Sequence, residues 1–217
     1  MKPERRPHLE MQKRYFDQRV DFFCQPVPDS IQERTGRIVA SAGLEADSTV
    51  LDVGTGIGVL IGHFLEEGVP ASRIVGCDLS SRMLAQAKQK FPEAHFWLGD
   101  IVDLTMPLPP DFPPGIKSFD FVFFNACFGN MFDQEEALKA ASRLTRGRGT
   151  IVISHPLGAG FVDSLHQSEP EIVPHLLPSL EAYQGWAETV GYEIDHYDDR
   201  PGFYLARLVC SRYDTGD

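Results

Sequence analysis

The chain has 217 residues, 42% of them hydrophobic and 24% charged, which fits one globular domain and excludes a disordered or collagen-like chain. Its 31 acidic residues against 20 Lys plus Arg leave a formal charge of −11, so a phosphate backbone is not an expected partner. No uncharged apolar stretch approaches the roughly 20 residues of a membrane span, and the opening MKPERRPHLE leads into no hydrophobic signal segment, so a soluble protein without a membrane partner is expected.

In chain order, residues 8–24 read as an aromatic-rich helical lead-in stopped by Pro26 and Pro28, and residues 30–42 as a second helix ending at Gly43. A short apolar strand at 49–53 runs into Asp-x-Gly, and a helix over 57–67 follows, closed by Gly68 and Pro70. The next strand, 73–77, is followed by a helix at 80–91 with Lys88 and Lys90 at its negative end. Strands are expected at 95–98, 119–124 and 149–154. Between the last two, a helix at 134–146 opens on Asp133 and Glu136 in capping-box spacing and stops at Gly147. That helix's dipole accounts for Arg143 and Arg146 in its last turn, leaving Lys2, Arg5 and Arg6 as the other basic group. The five prolines in 103–118 predict a surface loop. After a helix near 179–190, the strand-like runs 192–198 and 203–211 are joined by four residues, too short for a parallel crossover, so they form an antiparallel hairpin. Cys24, Cys77, Cys127 and Cys210 are widely spaced with no C-x-x-C, which fits a reducing, cytoplasmic setting rather than a disulfide framework.

The expected fold is therefore α/β: a seven-stranded, mostly parallel sheet with helices on both faces and a C-terminal antiparallel hairpin. The whole chain, 1–217, reads as a single domain in three parts. These are a helical lead-in at 1–43, a cofactor-binding half at 44–154, and a substrate-side loop, helix and hairpin at 155–217.

The first strand-to-helix turn reads Asp52-Val53-Gly54-Thr55-Gly56-Ile57-Gly58-Val59. Glycines there let a ligand lie against bare main chain. A dinucleotide site is the rival, since Asp78 follows Gly58 by twenty residues, but its fingerprint wants Gly or Ala where Val59 stands. A pyrophosphate would also sit near Asp52 with no neighbouring cation in sequence. A ligand with an adenosine half and a cationic amino-acid half suits the turn better, its carboxylate taking main-chain N–H groups at the helix start.

These residues resemble the class I S-adenosylmethionine-dependent methyltransferases, close to the small "type 11" members, over roughly residue 15 to the end. VLDVGTGIGVL is similar to the first motif of that family, VGCDLSSRML to the second and FWLGDIVDL to the third. FDFVFFNACF and LTRGRGTIVIS match the fourth strand and the approach to the fifth, and YFDQRVDFF resembles the segment whose aromatic residues help cover the cofactor. The resemblance implies S-adenosyl-L-methionine as cofactor, with Asp78 on the ribose hydroxyls, Asp100 near the adenine amino group and Ile101 beside the ring. It implies a cofactor site of Asp52, Gly54, Thr55, Gly56, Asp78, Leu79, Met83, Asp100, Ile101 and Asn125, with cover from Tyr15 and Phe16. Taken without the resemblance, Asp78 and Asp100 also read as caps of the turns that follow them.

A methyl acceptor is expected beyond the carboxyl ends of the fourth and fifth strands. Asn125-Ala126-Cys127-Phe128 lacks the two prolines of families that methylate nucleobase amines, which together with the charge points to a small-molecule O, N or S acceptor. Cys127 reads as a small buried residue rather than a reactive thiol. His155, His166 and His175 crowd a proline-rich segment without helical periodicity. His155 is the expected base or acceptor anchor, with His166 as a second catalytic candidate and His175 undecided. A metal site on these three histidines has spacings that fit no ligand motif, so no metal is expected. The lead-in helix reads either as a lid over the cofactor or as core packing. A non-catalytic binding module on the same fold is the alternative function, and a nicotinamide-dependent dehydrogenase a more distant one.

Overall fold

The computed structural model describes residues 4–109, 112–146 and 148–211. Lys2 and the expected helix stop at Gly147 lie outside the described residues. The elements run α1 (Arg5–Asp17), α2 (Val20–Phe23), α3 (Asp29–Ala40), β1 (Val50–Val53), α4 (Ile61–Glu66), β2 (Ile74–Asp78), α5 (Ser81–Lys90) and β3 (His95–Leu98). They continue with β4 (Phe121–Asn125), α6 (Gln134–Leu144), β5 (Thr150–His155), α7 (Ala159–Ser168), α8 (Leu180–Val190), β6 (Tyr192–Arg200) and β7 (Phe203–Cys210).

The strands make one sheet in the order β3-β2-β1-β4-β5-β7-β6. The pairs from β3 to β5 are parallel, while β7 runs antiparallel to both β5 and β6. Alternation along each strand separates two hydrophobic layers, because successive side chains point to opposite faces. Leu51, Val53, Val122, Phe124, Ile151 and Ile153 meet the buried faces of α6 and α8. Val50, Phe123 and Val152 meet Ile38 and Val39 of α3 and Ile61 and Phe64 of α4. The sheet is therefore covered on both sides, and its central strands are continuous apolar runs.

Local chemistry sets the ends of these elements. Ser80 caps α5 by accepting from the Met83 N–H at 3.0 Å, and Asp133 caps α6 by accepting from the Glu136 N–H at 3.1 Å. Gly191, at φ +74°, closes α8 in the left-handed region.

Three expectations shift. The helix expected over 57–67 begins only at Ile61, because Gly54, Gly56 and Gly58 all hold positive φ and keep the chain in turns up to that point. Arg146 lies beyond the end of α6, at φ +54°, and donates to the Lys117 carbonyl at 3.1 Å instead of completing the last helical turn. The segment after β5 contains α7, where no helix was expected. Its start carries Gly158, at φ +80°, rather than a capping side chain, and only Val162 of its ten residues is buried, so the two usual helix signals are both weak.

Candidate functional site

A cavity of about 270 Å³ opens past the carboxyl ends of β1, β2, β3 and β4. The turn after β1 forms its floor. At Gly54 (φ +66°) a Cβ would lie 2.7 Å from the Cys127 Cβ, so only glycine lets the two chain segments approach this closely. Thr55 hangs from the end of the neighbouring strand through its N–H to the Cys77 carbonyl, 3.0 Å away, and its hydroxyl donates to Asp52 Oδ2 at 2.6 Å.

The acids are fixed by backbone donors. Asp78, the last residue of β2, accepts from the Gly56 N–H on Oδ2 (2.9 Å) and from the Ser80 N–H on Oδ1 (2.8 Å). Asp100 follows β3 and accepts from the Val102 N–H at 3.0 Å, while its other oxygen meets the Arg5 guanidinium at 2.6 Å. Asn125 ends β4, where its Oδ1 accepts from the Ser154 hydroxyl at 3.0 Å. Burial, opposed by the Thr55 hydrogen bond, pushes the Asp52 carboxyl up to about 7, with the Asp78 charge adding to the rise. Burial also raises Asp78, against its backbone hydrogen bonds. The wall therefore carries three acidic side chains, of which burial holds Asp52 partly protonated at pH 7, and no Lys or Arg is among its described residues. That donor set fits a cationic ligand rather than a pyrophosphate.

Helix α1 closes the cavity from above. His8, Leu9, Gln12 and Phe16 line it, the four-residue steps from 8 to 12 to 16 placing them on one helical face. Side-chain contacts along its length tether this helix. Arg5 reaches Asp100 and Asp103 at 2.6 and 2.8 Å, Gln12 Nε2 donates to the Ile172 carbonyl at 2.5 Å, and the Ser80 hydroxyl donates to Asp17 Oδ1 at 2.6 Å.

Of the residues expected to hold cofactor, Phe16, Asp52, Gly54, Thr55, Gly56, Asp78, Leu79, Met83, Asp100, Ile101 and Asn125 all line this one cavity. Tyr15 does not. Its ring packs on the core under the Arg19 guanidinium, 3.5 Å from the ring centre. The histidines are not brought together. His155 ends β5 as a buried side chain outside the cavity wall, accepting the Leu157 N–H on Nδ1 at 3.1 Å. Burial pulls its pKa down to about 4, so it is a neutral packed ring at pH 7. His166, on α7, shares a 2.7 Å hydrogen bond with the Val173 carbonyl, and His175 one of 3.2 Å with that of Phe132. Neither lines the cavity. Among the described residues no group of three or more His, Cys, Asp or Glu is arranged to hold a metal.

Cys127 lines the cavity, but burial raises its pKa well above the thiol range and its Sγ donates to the Val53 carbonyl at 3.1 Å, so it is a thiol and not a nucleophile. The sequence reading passed over His8, Gln12, Asn130 and Phe132, which also line the cavity. The four-residue spacing of His8, Gln12 and Phe16 on the lead-in helix was the available signal.

The sheet order, with a parallel body, one antiparallel hairpin and a cavity at the strand ends, defines a Rossmann-like methyltransferase architecture. Residues 44–192 match the family described as a methyltransferase domain, and the chain belongs to the class I S-adenosylmethionine-dependent methyltransferases. It is 27% identical over 154 residues to a trans-aconitate 2-methyltransferase of Variovorax paradoxus (strain S110), covering 71% of this chain and 52% of that protein. It is 28% identical over 165 residues to a demethylmenaquinone methyltransferase of Paenarthrobacter aurescens (strain TC1), covering 72% and 61%. The chain thus spans little more than half the length of these relatives. Its fold matches the crystal structure of magnesium protoporphyrin IX methyltransferase from Synechocystis PCC 6803 with bound S-adenosylmethionine. The TM-score is 0.66 at 15% identity, covering 94% of this chain and 97% of that one.

Proposed function

We propose that this protein transfers the methyl group of S-adenosylmethionine to a small-molecule acceptor at oxygen, nitrogen or sulfur, as one catalytic unit working in the cytoplasm. The observation that carries this reading is a single cavity at the strand ends that gathers the glycine turn, Asp78, Asp100 and Asn125 while presenting three acidic side chains and no Lys or Arg. When bound, the cofactor supplies an electrophilic methyl carbon on a positively charged sulfur.

The chain's own part is positioning. Asp78 keeps lone pairs beyond those taken by Gly56 and Ser80, and these are suited to two ribose hydroxyls. Asp100 and Ile101 stand where a purine edge and face would be held, and the turn from Gly54 to Gly56 offers main chain to the amino-acid end. Helix α1 lines the cavity, and cover of this kind would limit water at the reacting centre and strengthen the charge contacts inside. An in-line displacement then asks of the protein an acceptor held about 3–3.5 Å from the methyl carbon.

Two measurements test this. Calorimetry with S-adenosylmethionine is expected to give saturable binding, and incubation with a metabolite panel is expected to release S-adenosylhomocysteine. Binding without release from any acceptor is the result expected of a non-catalytic module, and no binding by folded protein refutes both readings.

A further inference from the structure

Two cavity-lining residues of α1, His8 and Gln12, carry hydrogen-bond acceptors that the fold leaves without donors. Gln12 is 2% exposed, and its Nε2 faces the Ile172 carbonyl. A carbonyl only accepts, so the amide orientation is fixed and Oε1 is the atom left over. Among the described residues Gln12 Oε1 is the buried side-chain polar atom with no hydrogen-bond partner. Buried polar atoms are rarely left so, and one on the wall of a cavity marks where a ligand group belongs.

One turn earlier on the same face, His8 Nε2 lies 2.9 Å from the Asn130 carbonyl. That nitrogen must carry the proton, so the neutral ring keeps a lone pair on Nδ1, which no described residue engages. Asn130 is itself held by Nδ2 donating to the same Ile172 carbonyl at 2.9 Å. Val27, Ile31 and Phe132 add apolar lining to the same cavity. The nearest guanidinium on the helix, Arg5, is engaged by Asp100 and Asp103 and is not part of the wall. No Lys or Arg lines the cavity, so a carboxylate entering here would find no fixed cation of the protein, whereas a neutral hydroxyl or amine could donate to the acceptors left over.

We infer that the face of α1 bearing His8 and Gln12 recognises the methyl acceptor, and that it selects an uncharged molecule with an apolar body whose hydroxyl or amine hydrogens meet His8 Nδ1 and Gln12 Oε1. This rests on the proposed methyl-transfer reading of the same cavity. It also separates the protein from the relative whose name specifies trans-aconitate, a tricarboxylate.

The test begins with calorimetry of S-adenosylhomocysteine, since failure there removes the underlying reading and not this inference alone. Ligand-observed NMR on the loaded protein then compares phenol with benzoate, 2-naphthol with 2-naphthoate, and both with trans-aconitate. The uncharged member of each pair is expected to bind about tenfold more tightly than its carboxylate. Gln12→Met is expected to weaken 2-naphthol about fivefold while leaving S-adenosylhomocysteine within about twofold, which also shows that the variant is folded. His8→Gln, whose Nε2 can still donate to the Asn130 carbonyl, is the second variant and should shift 2-naphthol in the same direction. Equal or tighter carboxylate binding overturns the inference, as does the absence of binding by both members of every pair. So does a Gln12→Met variant that loses S-adenosylhomocysteine, because Gln12 would then belong to the cofactor.

Discussion

Asp52 and Asp78 lie on adjacent strands, Asp78 two residues beyond the register partner of Asp52, but they do different work. Asp78 accepts from two backbone donors and lines the cavity, so on the proposed reading Asp78→Ala removes a contact to the cofactor's ribose while the strand pairing is kept. Calorimetry is expected to show cofactor affinity falling about 100-fold, because hydrogen bonds to a charged group contribute roughly 1.5–3 kcal/mol. Asp52 is a buried acid whose folded pKa, about 7, lies above its ordinary 3.8. The native state therefore holds a proton that the unfolded chain has lost, and this contribution to stability is present at low pH and disappears as pH rises from about 4 to 7. His155 acts in the opposite sense. Its pKa falls from 6.5 to about 4, so its contribution is full above 6.5 and is lost as pH falls through 4. The two slopes oppose each other in the wild type. In Asp52→Asn only the histidine slope remains of the pair, and denaturant melts should show the variant gaining on the wild type by on the order of 4 kcal/mol between pH 4 and pH 7. A constant difference across that range would refute the assignment.

At the scale of elements, α1 decides how the cavity opens. Arg5 and Asp100 are both nearly buried, at 9% and 8% side-chain exposure. Removing one partner of such a pair leaves the other charge stranded, so Arg5→Ala is expected to destabilise the docked helix by about 3 kcal/mol. Hydrogen exchange across α1 should quicken correspondingly, with the central strands unchanged. If the helix also moves as a lid, limited proteolysis within residues 5–23 slows when S-adenosylmethionine is added; identical cutting with and without it would show the helix to be fixed packing.

The elements also show why some features were legible in the sequence and others were not. The strands 95–98 and the starts of α5 and α6 were readable because apolar runs, Ser80 and Asp133 carry local chemistry. Helix α7 was not, since it has no capping side chain and only Val162 of its residues is buried, with Ala159 and Leu165 partly buried against the same cluster. The cofactor side of the site was legible for a similar reason: Gly54, Gly56, Asp78 and Asp100 are fixed by the turns they occupy. The acceptor side is assembled across the chain, with Gln12 and Asn130 meeting at the Ile172 carbonyl, 160 and 42 residues away. No local pattern records such a meeting, and the crowding of His155, His166 and His175 in sequence suggested a cluster that the helix and strand pull apart.

For the whole molecule, a charge of −11 sets what it avoids. A DNA duplex of about 20 base pairs at roughly 50 mM salt is expected to show no retarded band with the protein, since nonspecific affinity needs clustered Lys and Arg. A shifted band would contradict the small-molecule reading. Among the described residues no helix is long and apolar enough to cross a membrane.

The position of β7 has a consequence for how the chain is made. This strand fills the gap between β5 and β6, pairing with Thr150–His155 on one side and with the whole of β6 on the other. During translation β5 therefore keeps a naked edge until residues 203–210 have cleared the ribosome, however early the glycine turn has formed. A nascent chain halted before Phe203 would already carry the glycine turn, yet it would expose a sticky border of the kind that chaperones shield.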